Sequence, residues 1–181
     1  MDWESLLAPR PIVVALAGSN GAGKSTFYQA HLADAGLRFV NTDDLAAELD
    51  LGAYEAADMA AAIRKELAEL KESFIFETVL SDPHGARVSE LKEFSQKGAH
   101  VVLIFIRIDS PDTSKQGVSM RVMQGGHDVP DDKLESRFER TLANLDRAIA
   151  ELPVVMIFDN SDMSRPYRLE AVYRNSERTG P

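Results

Sequence analysis

The chain of 181 residues has no cysteine, which excludes disulfides, thiol nucleophiles and thiolate zinc sites together. It is also short of positive charge: 20 Lys and Arg stand against 29 Asp and Glu, a formal net charge of −9. Nonspecific affinity for nucleic acid comes mainly from Lys and Arg releasing counterions from phosphates, so no nucleic-acid partner is expected. Long apolar runs are missing too. The longest are six residues, as in Val101 to Ile106, against the ~20 a membrane span needs, and no membrane partner is expected. A secretory leader would begin with basic residues; Asp2 and Glu4 stand there instead. Cleavage after Ala15-Leu16-Ala17 would destroy the best motif in the chain, so the location read from the sequence is cytoplasmic.

What is present is 44% apolar side chains on a length that buries roughly 70% of its unfolded surface, enough for one core. Short apolar, β-branched runs recur at Pro11 to Ala17, Leu37 to Asn41, Phe74 to Glu77, His100 to Ile108 and Val154 to Phe158, and predict five buried strands. Helical periodicity fills the intervals, at about 24–35, 43–71 with a break near Gly52, 84–97, 111–124 and 131–150. Apolar strands alternating with helices predict an α/β domain of three layers around a mainly parallel five-stranded sheet. The segment from about 162 to 181 reads as a polar tail, with one candidate edge strand at Tyr167 to Arg174 and fraying from Ser176 to Pro181. A single domain over 1–181 is expected.

Gly18-Ser19-Asn20-Gly21-Ala22-Gly23-Lys24-Ser25 satisfies the phosphate-loop pattern, a Gly followed after four residues by Gly-Lys-Ser/Thr. It follows a predicted strand, and Thr26 leads into a predicted helix, so the loop's amides and the helix N-terminus can face phosphate oxygens. Lys24 would reach the β- and γ-phosphates and the Ser25 hydroxyl would ligate Mg²⁺. The predicted domain is therefore of the P-loop NTPase and kinase kind, binding ATP with Mg²⁺.

Ligands of open α/β sheets collect beyond the carboxyl ends of strands. Those ends carry Asn41-Thr42-Asp43-Asp44, Glu77-Thr78, Arg107 with Asp109, and Asp159-Asn160, the first two expected on strands flanking the phosphate loop's own strand. Asp43 suits a general base for an attacking hydroxyl, and equally a helix N-cap before Leu45. Glu77 ends an apolar strand and suits a Mg²⁺ ligand, since a bare carboxylate seldom ends a buried strand without a partner; Asp109 reads as a turn and cap.

Arg121, the turn Gln124 to Pro130 with Gly125-Gly126 and His127, and Arg137 predict a helical lid over about 115–131. Such a lid brings positive charge to a transferring phosphoryl group on closure. On the following helix, Leu134, Phe138, Leu142, Leu145, Ile149 and Leu152 form one stripe. Arg137 falls at its edge and Arg140 nearly opposite, which directs Arg137 to the site and Arg140 to solvent.

With these motifs in place the chain resembles the short, zeta-toxin-like branch of the P-loop kinases. The resemblance is carried by Gly18 to Thr26, Phe39-Val-Asn-Thr-Asp43, Phe74-Ile-Phe-Glu-Thr78 with Leu80-Ser81, Arg121-Val122 with Gly125-Gly-His-Asp-Val-Pro130, Arg137 with Thr141-Leu-Ala-Asn144-Leu145, and Asp159-Asn-Ser161. It implies an ATP-dependent kinase acting on the sugar hydroxyl of UDP-N-acetylglucosamine or a related acceptor. It implies Asp43 as base, Lys24 and Ser25 on phosphate and Mg²⁺, Asn41, Glu77 and Thr78 in the acceptor pocket, and Arg121 and Arg137 on the transferring phosphate. Relatives commonly carry an arginine four residues before Arg121, where this chain has Gly117. The reading from another class is a nucleotide-dependent regulatory ATPase that binds a protein, including the toxin of a toxin–antitoxin pair. No Asn-Lys-x-Asp guanine-reading motif and no Leu-Ser-Gly-Gly-Gln transporter signature occurs.

Overall fold

The computed structural model describes the backbone of residues 4–123 and 131–181, and the side chains there except at positions 116, 120–123 and 131–133. Seven strands form one sheet: β1 (Ile12–Ala17), β2 (Arg38–Val40), β3 (Phe74–Thr78), β4 (His100–Arg107), β5 (Val154–Asp159), β6 (Arg168–Arg174) and β7 (Glu177–Arg178). Their order is β2-β3-β1-β4-β5-β6-β7. The first five are parallel, with Val13 opposite Phe74 and Ile12 opposite His100, and the last two run antiparallel. The helices are α1 (Lys24–His31), α2 (Thr42–Leu49), α3 (Ala53–Glu69), α4 (Ala86–Gln96), α5 (Pro111–Met123) and α6 (Asp131–Glu151).

All six residues of β1 are buried, because helices cover both faces of the sheet. Val13, Ala15 and Ala17 enter a core with Phe74, Phe76, Leu91 and Leu145, while Ile12, Val14 and Leu16 enter one with Phe27, Ile104 and Phe158. A fully buried side chain of this size contributes about 1.5–3 kcal/mol relative to its exposed state, so the strand that delivers the phosphate loop is among the most firmly held.

The structure departs from the sequence reading at two points of the sheet. Among the described residues the sheet has seven strands rather than five, because the polar tail folds back as a hairpin. Ala171 and Val172 are buried on it, and the two-residue turn is made by Asn175 and Ser176 at φ of 48° and 71°, the left-handed backbone that tight hairpins require. The end expected to fray is tied instead, Thr179 N donating to Val172 O at 2.7 Å. Second, β2 does not flank β1; β3 lies between them. The compositions explain it: Phe74, Ile75 and Phe76 are buried on both faces, whereas β2 has three residues and an exposed Arg38, suiting an edge.

On α6, Leu134, Phe138 and Leu145 are buried as expected, as is Leu152 just past its end, but Leu142 is exposed, and Thr141 and Asn144 are buried in its place. The displaced face follows from hydrogen bonding. Thr141 Oγ1 donates to Val79 O at 3.0 Å, and Asn144 Nδ2 donates to Leu80 O at 2.9 Å and Asp82 O at 2.8 Å. These bonds satisfy the carbonyls of the segment after β3, which would otherwise be buried unpaired.

Candidate active site

Between β1 and α1 the chain passes through the glycine-rich loop, where Lys24 is buried at 6% exposure. Its Nζ donates to Ser19 O at 3.0 Å and stands 3.6 Å from Glu77 Oε1. Ser25 Oγ donates to Glu77 Oε2 at 3.1 Å. Adjacency of β1 and β3 makes this meeting possible, since Ala17 and Thr78 lie opposite each other in register. The carboxylate at the end of β3 therefore has the partners its position demands.

The loop is held from outside by two donors. Asn160 Nδ2, just past β5, donates to Ala22 O at 2.9 Å, and Tyr167 Oη donates to Gly23 O at 2.9 Å. Burial raises the Tyr167 pKa, opposed by hydrogen bonds with Thr26 and Asn160. From above, Ser114 Oγ of α5 donates to Asn20 O at 2.7 Å. Gly117 lies so close that a Cβ there would fall 2.3 Å from Gly21 O, and a Cβ on Gly21, at φ 72°, would fall 2.5 Å from Ser114 O. An arginine, which the resemblance places at 117, has no room in this arrangement.

On the opposite side, Asn41 caps α2, its Oδ1 accepting from Asp43 N at 2.8 Å. Asp43 occupies the first turn and is exposed. The capping alternative thus belongs to Asn41, which leaves the Asp43 carboxylate available. It lines a cleft of about 690 Å³ with Lys24, Asn41, Glu77, Thr78 and Arg137. Asn20 and Gly21 of the loop reach the same space. Gly18, Ala22, Gly23 and Thr26 complete the loop and the first turn of α1. Arg121 lies on α5, but its side chain and the whole of residues 124–130, with Gly125, Gly126 and His127 on which the expected lid rests, fall outside the described residues.

Arg140 corrects the sequence reading. Rather than facing solvent, its Nε donates to Ser81 O at 2.8 Å, joining Thr141 and Asn144 in holding the segment that follows Glu77 and Thr78. Two further arginines of the cleft were not singled out by sequence reasoning. Arg64 of α3, only 3% exposed, donates from Nε to Glu90 Oε1 at 3.2 Å. Arg87 of α4 donates to the other oxygen of Glu90. Both guanidiniums lie over the Phe76 ring, at 4.9 and 5.8 Å from its centroid. Burial lowers the Arg64 pKa, Arg87 adding to the effect and Glu90 opposing it; an arginine stays protonated nevertheless. One signal was available: Arg64 continues the four-residue spacing of Ala56 and Ala60 on the buried face of α3, where a charge needs a partner.

The fold is shared with solved structures. A chain of the AvrRxo1-ORF1:-ORF2 complex crystallised with ATP superposes with a TM-score of 0.73 at 21% identity, over 97% of this chain and 63% of that one. A chain of the PezAT toxin–antitoxin system of Streptococcus pneumoniae superposes with a TM-score of 0.68 at 16% identity, over 94% and 77%. A gluconokinase from Sinorhizobium meliloti gives 0.50 at 18% identity, over 86% and 84%. The chain thus spans less than two thirds of the AvrRxo1 chain it matches. Residues 4–171 match the zeta toxin family, and with the phosphate loop, the parallel sheet and these neighbours in agreement, the chain belongs to the zeta toxin family of P-loop kinase-like proteins.

Proposed function

We propose that the protein is an ATP-dependent phosphotransferase that moves the γ-phosphate to a hydroxyl of a small molecule, a sugar or UDP-amino sugar. The observation that carries this reading is the meeting in one cleft of a phosphate-loop lysine, a serine–glutamate pair and an uncommitted aspartate. Residues 18–26 bind the triphosphate, Lys24 turning from Ser19 O to the phosphates. Ser25 Oγ and the Glu77 carboxylate are hard oxygen donors close enough to share one cation, a set that suits Mg²⁺. Mg²⁺ held there with the nucleotide supplies charge neutralisation at the β- and γ-phosphates. Asp43 accepts the proton of the acceptor hydroxyl as its oxygen bonds to the γ-phosphorus, and the electron pair of the broken P–O bond leaves on ADP. Asn41, Glu77 and Thr78 line the acceptor's place. Arg137, with Arg121 from α5, compensates charge on the transferring group.

The test is a screen of label transfer from γ-labelled ATP to sugars, UDP-sugars and nucleosides. Transfer to one acceptor class is the expected result; ATP hydrolysis without transfer to any of them contradicts it. The toxin–antitoxin reading draws support from the PezAT system to which the fold is similar, and is tested by co-purification with a protein encoded beside this chain.

A further inference from the structure

We infer that Ser114, Asn160 and Tyr167 are positioning residues of the nucleotide site: from outside the phosphate loop they fix its peptide planes and so aim its amides at the phosphates. The inference rests on the reading that residues 18–26 bind a triphosphate, and adds what sets that loop before the ligand arrives. Asn20 O accepts from Ser114 Oγ at 2.7 Å, Ala22 O from Asn160 Nδ2 at 2.9 Å and Gly23 O from Tyr167 Oη at 2.9 Å. In a trans peptide the C=O and the N–H that follows it point to opposite sides of one plane. Each carbonyl held outward therefore turns the next amide, that of Gly21, Gly23 or Lys24, away from its donor. Because the loop curls between β1 and α1, carbonyls held outward around it make those amides converge on its interior, the concavity that binds anions. Asn20, Gly21 and Lys24 border the cleft there. A carbonyl that accepts a hydrogen bond also polarises its peptide, which strengthens the amide as a donor.

The backbone of Tyr167 points the same way. Its φ is 57°, a left-handed conformation that is an outlier for a bulky side chain. Strain of this kind persists only where the surroundings over-determine it, and it clusters at ligand sites. The surroundings here are the ring's contacts with α1, Phe27 edge-on at 5.3 Å and His31 at 6.0 Å, which leave the hydroxyl within reach of Gly23 O. Packing alone would be served by phenylalanine. Nor does the carbonyl need the phenol for satisfaction, since Phe27 N already donates to Gly23 O at 2.9 Å; the second bond adds orientation. Gly23 is what lets the donors come so near: a Cβ there, at φ 89°, would fall 2.7 Å from Tyr167 Oη and 2.8 Å from Asn160 Nδ2. Ser114 is the counterpart on α5, 1% exposed on a helix that Gly117 brings against Gly21.

The experiment titrates the full chain, in Mg²⁺, with a non-hydrolysable ATP analogue and with inorganic tripolyphosphate, which has the phosphates and no base. Tyr167→Phe keeps the ring on Phe27 and removes one donor; Asn160→Ala and Ser114→Ala remove the others. Each should weaken both ligands by the same factor, about 3- to 10-fold, the ordinary size of one hydrogen bond. Ser176→Ala removes a bond of the same kind far from the loop, Ser176 Oγ to Ala150 O at 2.9 Å, and should leave both affinities as they are, with thermal melting of every variant run alongside. Wild-type affinities in Tyr167→Phe and Asn160→Ala overturn the inference. So does a loss confined to the ATP analogue, which would make these side chains contacts of the base, and so does an equal loss in Ser176→Ala, which would make it an effect of stability. A wild-type protein that binds neither ligand overturns the phosphate-loop reading and the inference together. Parallel losses in a protein that transfers no label from γ-labelled ATP to any acceptor overturn phosphotransfer and leave the positioning role standing. Transfer by the wild type with affinities unchanged in the variants does the reverse.

Discussion

Lys24 and Glu77 hold each other in place, so each substitution there has two consequences. In Lys24→Ala the phosphates lose a charge-assisted contact worth about 1.5–3 kcal/mol, and ATP affinity should fall about 10–100-fold in a calorimetric titration. The fold should survive, because the core of β1 lies on the other side of the loop; unchanged ATP affinity would remove Lys24 from the phosphate site. Arg140 makes a different point about single residues. A helical wheel sends it to solvent, yet it donates to Ser81 O in the segment after β3. Arg140→Ala should lower the unfolding free energy by about 1 kcal/mol, the ordinary worth of such a bond, and a urea titration equal to that of the wild type would contradict it. The wheel failed because it ranks residues by apolarity, whereas this face of α6 is buried for its donors.

At the scale of elements, α5 and the connection between β5 and β6 hold the phosphate loop from two sides. Gly117 is the closest approach, and its missing side chain is what allows it. Gly117→Ala puts a Cβ at 2.3 Å from Gly21 O, a contact that only backbone movement can relieve. Melting temperature and ATP affinity should fall together; a variant that melts and binds like the wild type would mean that α5 does not rest on the loop. The hold from the β5–β6 connection has a pH signature. Burial raises the Tyr167 pKa in the folded state, so its contribution to stability is complete below the unfolded value near ~10. It is lost as pH rises from there through the folded value, because the unfolded chain gives up the proton first. Tyr167→Phe should flatten that alkaline fall in a denaturation series, and removes the hydrogen bond to Gly23 O. Identical pH slopes in the two proteins would contradict this. These partnerships were not legible beforehand. Apolar runs marked β1, β3, β4 and β5 because strands buried on both faces must be apolar throughout, but Asn160 and Tyr167 act through backbone carbonyls, which leave no trace in residue type.

For the whole molecule, the parallel sheet brings the ends of β2 and β3 and the loop after β1 to one edge, with α6 closing over them. That the glycine-rich loop and the strand ends Asn41–Asp43 and Glu77–Thr78 meet at one cleft was legible, since ligands of open α/β sheets collect beyond the strands' carboxyl ends, whereas whether Asp43 or its neighbour caps α2 was not. Strand order was not legible either: nothing local says that β3 inserts between β1 and β2, and only the exposed Arg38 marks β2 as an edge. Arg64 and Arg87 come from helices on a sheet face, 23 residues apart in sequence, and meet only because Glu90 and Phe76 draw them together.

The central claim is that this edge transfers phosphate and that Asp43 takes the proton, and Asp43→Asn tests it most directly. Asn41, not Asp43, provides the cap of α2, so the substitution should leave melting temperature and ATP affinity as they are. With an acceptor identified, the single-turnover rate of label transfer from γ-labelled ATP should fall by roughly 10²–10⁴-fold, the usual contribution of a positioned base. A rate within a few-fold of the wild type, with ATP bound equally well, would contradict the account.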